Sequence, residues 1–392
     1  MTKLEKLIEE LCPGGVEYRK LKEVCDNIIV PMRDRPKVFD GDIPWCRIED
    51  KEGQFFNGSK SGLAVSKEIV KKMNLKVFPT GTVICSCSAS IGSYAINTQP
   101  LVTNQTFIGL VCGKEIYNKF LLYFMETQTK TLLKKATTGT IPYISRNKFE
   151  ELLVPVPPLE IQSEIVHILD NLTELTAELN ERLDAELTAR KKQYEYYRDE
   201  LLTFGDKSTS KTIESLCKIS AGGDVPKESF SKEKTENFTI PIISNGIGEN
   251  SIYGFTDVAK ITSPAVTVAA RGTIGYAEYR DYPYYPIIRL LSLVPKDPSE
   301  LNTKFLYYCL QGKKYKVPQS GIPQLTAPMI KSVEIPVPNM CVQEKIVEVL
   351  DNFDAICSDL NIGLPAEIEA RKKQYEYYRD KLLSFKSLSL NE

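Results

Sequence analysis

The chain has 392 residues but only one histidine, His167, and one tryptophan, Trp45. A Ser–His or Cys–His nucleophile could therefore use only His167. That residue falls in an acidic, helix-forming stretch, and its counterpart in the repeat described below is Glu348. None of the ten cysteines forms a Cys-x-x-Cys pair, and Cys85-Ser86-Cys87 is the only close spacing. A zinc site needs thiolates and imidazoles at ligand spacing, so reduced, mostly buried thiols in a cytoplasmic protein are expected instead. No apolar run approaches the roughly 18 residues of a membrane helix. The opening Met1-Thr2-Lys3-Leu4-Glu5 is polar and does not read as a secretory signal. A Walker-type phosphate loop, a Gly-x-Gly-x-x-Gly run and an Asn-Pro-Pro-aromatic tetrapeptide are all missing. These absences argue against a self-sufficient enzyme and against a cofactor held by this chain.

What is present is a duplication. Ala189-Arg190-Lys191-Lys192-Gln193-Tyr194-Glu195-Tyr196-Tyr197-Arg198-Asp199 returns 181 positions later as Ala370-Arg371-Lys372-Lys373-Gln374-Tyr375-Glu376-Tyr377-Tyr378-Arg379-Asp380. The same offset relates Val154-Pro155-Val156-Pro157 to Ile335-Pro336-Val337-Pro338, and Leu169-Asp170-Asn171 to Leu350-Asp351-Asn352. Upstream the register slips, with Ile91-Gly92 against Ile274-Gly275 and Lys119-Phe120-Leu121 against Lys304-Phe305-Leu306. Each half thus has a divergent front and a constant rear, the pattern of a variable surface on a standard frame. We divide the chain into residues 1–150 (first front, with an N-terminal helix), 151–206 (first rear), 207–333 (second front) and 334–392 (second rear). Net charge is −1 overall, but the four segments carry +6, −8, +5 and −4 in that order. Basic fronts attract phosphate backbones and acidic rears do not.

The rears read as helices. Apolar side chains at Ile165, Ile168, Leu172, Leu175 and Leu179 follow the alternating three–four step of a coiled-coil seam, which resumes at Tyr194, Tyr197 and Leu201. The second rear repeats it at Ile346, Val349, Phe353, Ile356, Leu360, Tyr375, Tyr378 and Leu382. From Ile161 to Phe204 such a helix would run about 66 Å. Gly363-Leu364-Pro365 stands where the first rear has Arg182-Leu183-Asp184, which predicts a break with Pro365 in the first turn of a new helix. Matched seams predict an antiparallel pair with an internal pseudo-twofold. Thr2 and Glu5 have the form of a capping box ahead of Leu4, Leu7, Ile8 and Leu11. The fronts carry short strand-like runs such as 82–85, 106–110, 265–268 and 290–293, with short helices at 117–125 and 302–310. The fold class expected is α+β: two mixed, β-rich globular domains joined by two long helices.

Two basic variable domains alternating with near-identical helical regions resemble the specificity subunit of a bacterial type I restriction–modification system. Each helical region is entered through Val/Ile-Pro-Val-Pro, continues with Leu-Asp-Asn and ends on Ala-Arg-Lys-Lys-Gln-Tyr-Glu-Tyr-Tyr-Arg-Asp. The likeness spans essentially the whole chain. It implies that the fronts are target-recognition domains, each reading one half of a split double-stranded DNA site. It further implies that the rears form an antiparallel coiled coil that sets the spacer and binds two methyltransferase subunits, joined by restriction (motor-nuclease) subunits. S-adenosylmethionine, ATP and Mg are then expected on those partners.

Base edges are read by Arg, Asn, Gln, Ser and Thr, and phosphates are held by Lys, Arg and small hydroxyls. On that basis the DNA-contact candidates of the first front are Ser86, Ser88, Ser90, Asn104, Gln105, Thr138, Thr140, Tyr143 and Arg146. Those of the second are Arg271, Thr273, Arg289, Lys313, Lys314, Lys316, Gln319, Ser320 and Gln324, with Arg271 and Gln319 foremost for base reading. Tyr196 and Tyr377 lie off the seam in both copies and are candidates for the subunit interface. The competing readings are a coiled-coil scaffold that binds no DNA and a concealed nuclease or methyltransferase.

Overall fold

The computed structural model describes residues 2–137, 142–204, 209–317, 323–358 and 363–388. The chain forms two compact units, Met1–Glu181 with Glu369–Glu392 and Arg182–Ile368. This division cuts across the four sequence segments. The first half of each rear packs on the front preceding it in sequence, while the second half belongs to the other unit.

In the first unit a six-stranded sheet has the order Cys25–Ile29, Phe107–Cys112, Val83–Ser86, Tyr94–Asn97, Phe55–Phe56, Lys51–Glu52. Its central strands are apolar on both faces because both are covered. Val83, Cys85, Ile108, Leu110 and Ile96 enter one core, whereas Ile84, Phe107 and Ala95 enter another. Alternate residues thus point opposite ways, as the pleat requires. A smaller sheet joins Ala64–Val65, Ile43–Cys46 and Val102–Thr103. The helix Asn118–Thr127 buries Phe120 through Met125 in the larger core. At the N-terminus, Thr2 caps the helix Lys3–Leu11 with the reciprocal bonds of a capping box, Glu5 N to Thr2 Oγ1 at 3.2 Å and Thr2 N to Glu5 Oε2 at 2.7 Å.

The second unit reuses the plan with fewer strands. A four-stranded antiparallel sheet runs Cys217–Ala221, Leu291–Pro295, Ala265–Val268, Ala277–Arg280. Beside it lies a three-stranded sheet of Ile252–Thr256, Ile240–Ile243 and Tyr285–Pro286. The helix Thr303–Leu310 occupies the place of Asn118–Thr127, with Phe305, Leu306, Tyr308 and Leu310 buried.

Each front is tied to the start of its rear by the same two devices. Gln162, fully buried, accepts from Tyr117 N at 2.8 Å and donates to the carbonyls of Glu115 and Pro157, both at 2.8 Å. Gln343, equally buried, accepts from Asn302 N at 2.9 Å and donates to Glu300 O at 2.8 Å and Pro338 O at 2.9 Å. About two turns along the helix, Asp170 receives Lys119 Nζ at 2.6 Å and the Tyr123 hydroxyl at 2.7 Å. Asp351 receives Lys304 Nζ at 2.6 Å and the Tyr308 hydroxyl at 2.5 Å.

The first rear is one helix, Leu159–Leu201, which begins in the first unit and ends in the second. The second comprises Met340–Ser358 and Leu364–Leu382, with Pro365 in the first turn of the latter. In the first unit Leu382, Leu383 and Phe385 join the same core as Ile161, Ile165 and Leu169, and Tyr375 shares a hydroxyl–hydroxyl bond of 3.0 Å with Thr173. Ser387 pairs with Val16 in a parallel bridge. In the second unit Tyr194, Leu201 and Phe204 join the core that holds Ile346 and Leu350, and Tyr197 stacks on Phe353 at 5.7 Å between ring centroids.

The seam read from spacing differs in part from the buried stripe. Ile165, Tyr194 and Ile346 are buried and Ile168, Leu172, Leu179, Leu201, Phe353, Tyr375 and Leu382 half-buried, but Leu175, Tyr197, Val349, Ile356 and Tyr378 are exposed. Leu360 lies outside the described residues. The cause is that each rear helix packs on a globular domain as well as on another helix. Beside the seam residue Ile165, the positions Ile161, Leu169 and Leu350 are fully buried against the domain cores, and a heptad count centred on a helix-only seam passes these three over. All ten thiols are free. Burial pushes the Cys25, Cys46 and Cys217 thiols up to about 12, so they stay protonated and inert at neutral pH.

Replacing Gln162 by alanine would strand one backbone N–H and two carbonyls at a dry junction. A loss of about 3 kcal/mol is expected, because each unsatisfied buried group costs about 1–3 kcal/mol. Denaturant unfolding of Gln162→Ala beside the wild type measures it.

Candidate nucleic-acid interface

In the first unit the chain leaves Cys25–Ile29 through Pro31-Met32-Arg33-Asp34-Arg35-Pro36, a basic turn bounded by prolines. Trp45, buried in Ile43–Cys46, anchors it. The Arg35 guanidinium lies 5.2 Å from the Trp45 ring centroid and that of Arg47 5.9 Å from it. Stacking on an aromatic face leaves guanidinium N–H donors turned outward. Trp45 pairs in parallel with Val102, so the chain leaving Val102–Thr103 brings Asn104 and Gln105 alongside. Arg33, Arg35, Trp45, Arg47, Asn104 and Gln105 line one cavity of about 270 Å³. Tyr143 lies close by. Burial raises its phenol pKa, the Cys87 thiol adds to that, and the positive charge of Arg33 opposes it.

Not every sequence candidate of this front reaches that surface. Ser86 is buried and donates to Ser88 O at 2.9 Å, so its hydroxyl closes the turn and is unavailable to a ligand. Ser88 is half-buried and bridges to Tyr143, while Ser90 is exposed beside Ala89, whose φ is +50°. Asn104 Oδ1 accepts the Thr106 hydroxyl at 2.6 Å, which orients its amide. Arg146 is ion-paired with Glu150 at 2.5 Å and lines a separate cavity with Asn27 and Lys76. Thr138 and Thr140 lie outside the described residues. Arg33, Arg35 and Arg47 were not among the candidates. The signal available for Arg33 and Arg35 was the cluster of three basic residues, Arg33, Arg35 and Lys37, in five positions at a Pro-bounded turn, and Arg47 had no such signal.

In the second unit Arg271, Arg289 and Gln324 converge from three segments. Gln324 Oε1 accepts from Arg271 Nη2 at 2.9 Å and Nε at 3.3 Å, and from Arg289 Nη1 at 3.2 Å. Asn245 fixes the backbone around them, accepting from Ala270 N at 2.8 Å and donating to Ile288 O at 2.7 Å. The Thr273 hydroxyl donates to Asn245 O at 2.6 Å and so positions the loop, which differs from the direct contact expected of it. Lys313 and Lys314 line a cavity of about 700 Å³ with Thr273, Tyr276, Tyr307 and Tyr315, and Lys316 is exposed on the same segment. Gln319 and Ser320 lie outside the described residues. On the rears, Tyr196 is 64% and Tyr377 62% exposed, each edge-on to the next tyrosine at 5.4 Å.

Among the described residues no group of three or more His, Cys, Asp or Glu side chains is placed to hold a metal, and no helix is long and apolar enough to cross a membrane. The duplicated frame and the paired surfaces of Arg, Asn and Gln define a two-headed nucleic-acid-recognition protein. The family model for the type I restriction modification DNA specificity domain matches residues 13–189 and again 206–370, and the chain belongs to that family. It is 39% identical over 287 residues to a chain named as a type I specificity subunit, S.MpnORF89P, of Mycoplasma pneumoniae, covering 70% of this chain and 84% of that one. It is 35% identical over 298 residues to the type I restriction enzyme EcoR124I/EcoR124II specificity subunit of Escherichia coli, covering 68% and 72%. A solved structure titled for complex assembly and conformational transition of the type I R-M system has the same fold. Its TM-score is 0.72 at 17% identity, over 95% of this chain and 98% of that chain.

Arg33→Ala and Arg47→Ala should each weaken binding to all duplexes alike. Each should also lower the slope of log K against log salt by about 1 where the residue neutralises a phosphate. Fluorescence anisotropy across a salt series, with the methyltransferase subunit bound, reads both effects.

Proposed function

We propose that this chain is the non-catalytic DNA-recognition and assembly subunit of a type I restriction–modification complex. Residues 1–150 read one half of a split target and residues 207–333 the other. One observation carries the reading. The same glutamine clip and aspartate clamp mount two differently built fronts on equivalent helices, and each front presents its own cationic surface with carboxamides. A scaffold that binds no DNA needs neither arginines stacked outward on Trp45 nor an arginine pair around Gln324.

In this reading the rears form an antiparallel coiled coil that sets the spacer between the half-sites. Thr173 meets Tyr375 within one unit and Tyr197 meets Phe353 within the other, pairings that support it. Two methyltransferase subunits dock on the duplicated rears, with Tyr196 and Tyr377 as equivalent anchors, and restriction subunits join them. The methyl donor S-adenosylmethionine, ATP and Mg belong to those partners. Co-expression with the methyltransferase subunit and mapping of methylated adenines tests the whole reading. A bipartite motif with an unread gap is expected, and methylation without one would refute it.

Inserting four residues between Leu183 and Leu187 should lengthen the gap and leave both half-sites intact, because one more helical turn adds about 6 Å. The methylation motif of the insertion variant is the readout. Tyr196→Ala with Tyr377→Ala should reduce capture of the methyltransferase subunit at least 30-fold, as expected when anchors worth about 2 kcal/mol are removed. Titration of the partner onto the immobilised variant measures that loss.

A further inference from the structure

The second unit holds an arrangement that its folding alone does not call for. Two guanidinium groups, Arg271 and Arg289, share one neutral oxygen, Gln324 Oε1, and among the described residues this carboxamide oxygen is the side-chain acceptor recorded for both. Like charges gathered on one neutral acceptor repel, and an external acceptor would offset that repulsion. The backbone that presents them is strained. Ile288 and Arg289 both adopt left-handed conformations, with φ of +52° and +59°, which a β-branched residue such as isoleucine rarely enters.

Five hydrogen bonds hold that conformation in place. Ile288 N donates to Gly223 O and Arg289 N to Gly222 O, both at 2.9 Å. Gly222 N returns to Leu290 O at 2.8 Å, and Ile287 N reaches Ile243 O at 2.9 Å. The Asn245 amide adds the bond to Ile288 O. A side chain at position 222 would meet the Ile287 backbone at 2.7 Å, so the approach needs glycine. Strain that persists because its surroundings over-determine it marks a place where geometry is being fixed for a ligand.

Resting on the proposed function, we propose that Arg271 is the guanine-reading residue of the second half-site, with Gln324 as its positioning residue and Arg289 as the companion cation. Guanine presents O6 and N7 side by side in the major groove, and a guanidinium held in one plane matches them with two N–H donors. Gln324 binds Arg271 through Nε and Nη2, which fixes the plane of the fork and leaves Nη1 and the outer Nη2 proton for the base. A phosphate can also take two N–H donors from an oriented guanidinium, so the motif change measured below is what separates base reading from a backbone contact.

The test uses the complex of this chain with its methyltransferase subunit. Methylated motifs are mapped for the wild type and for Arg271→Ala, Arg271→Lys and Gln324→Ala. Discrimination at one G·C position of one half-site should fall about tenfold or more in all three, with the other half-site and the gap unchanged. Arg271→Lys keeps the charge and Gln324→Ala keeps both arginines, so these two carry the test if Arg271→Ala fails to assemble. A uniform loss of methylation with an unchanged motif would make Arg271 a phosphate contact and overturn the assignment. So would a wild-type motif with no G·C pair in either half. If the wild-type complex methylates no split motif at all, the functional reading fails; if it does and the variants leave that motif intact, only this assignment fails.

Discussion

A buried carboxamide at each junction between front and rear is the constraint on which the rest of the molecule depends. Gln162 and Gln343 are each fully enclosed, and each satisfies one main-chain donor and two main-chain acceptors. No other neutral side chain apart from asparagine offers both an acceptor and two donors in one plane, and asparagine is one methylene too short to span the same groups. Enclosure makes the arrangement unforgiving, because in a dry junction every lost partner leaves a polar group uncompensated. Clip and neighbouring aspartate clamp together set the direction in which each rear helix leaves its front.

Much of the frame was legible in the sequence because it is written twice. The 181-residue offset marks the positions held alike in both copies, and Gln162/Gln343 and Asp170/Asp351 are among them. Strand and helix composition placed Ala265–Val268 and the two short helices closely, since buried sheets and their covering helices are apolar without interruption. The seam was less legible. A helix facing a partner helix and a globular core has two apolar stripes, and spacing alone cannot say which residue serves which. Leu169 and Leu350 therefore turned out more buried than Leu175 or Val349.

The candidate surfaces were legible in part for a different reason. Arg271 and Gln324 were recognisable as types that read bases, but their meeting joins two irregular segments 53 positions apart. Arg35 and Arg47 gain their orientation from Trp45, which carries no local pattern to announce it. Ser86 shows the converse error. It is the right residue type in the right loop, with its hydroxyl spent inside the turn.

The clips grip main-chain atoms of the fronts and ignore side-chain identity there. Tyr117 in one copy and Asn302 in the other serve Gln162 and Gln343 equally well. Any β-rich head that offers this short turn, with a lysine and a tyrosine for the aspartate, can be seated on the frame without redesigning it. Genetic exchange of heads between related chains would thereby create new pairings of inherited parts, leaving the assembly machinery untouched.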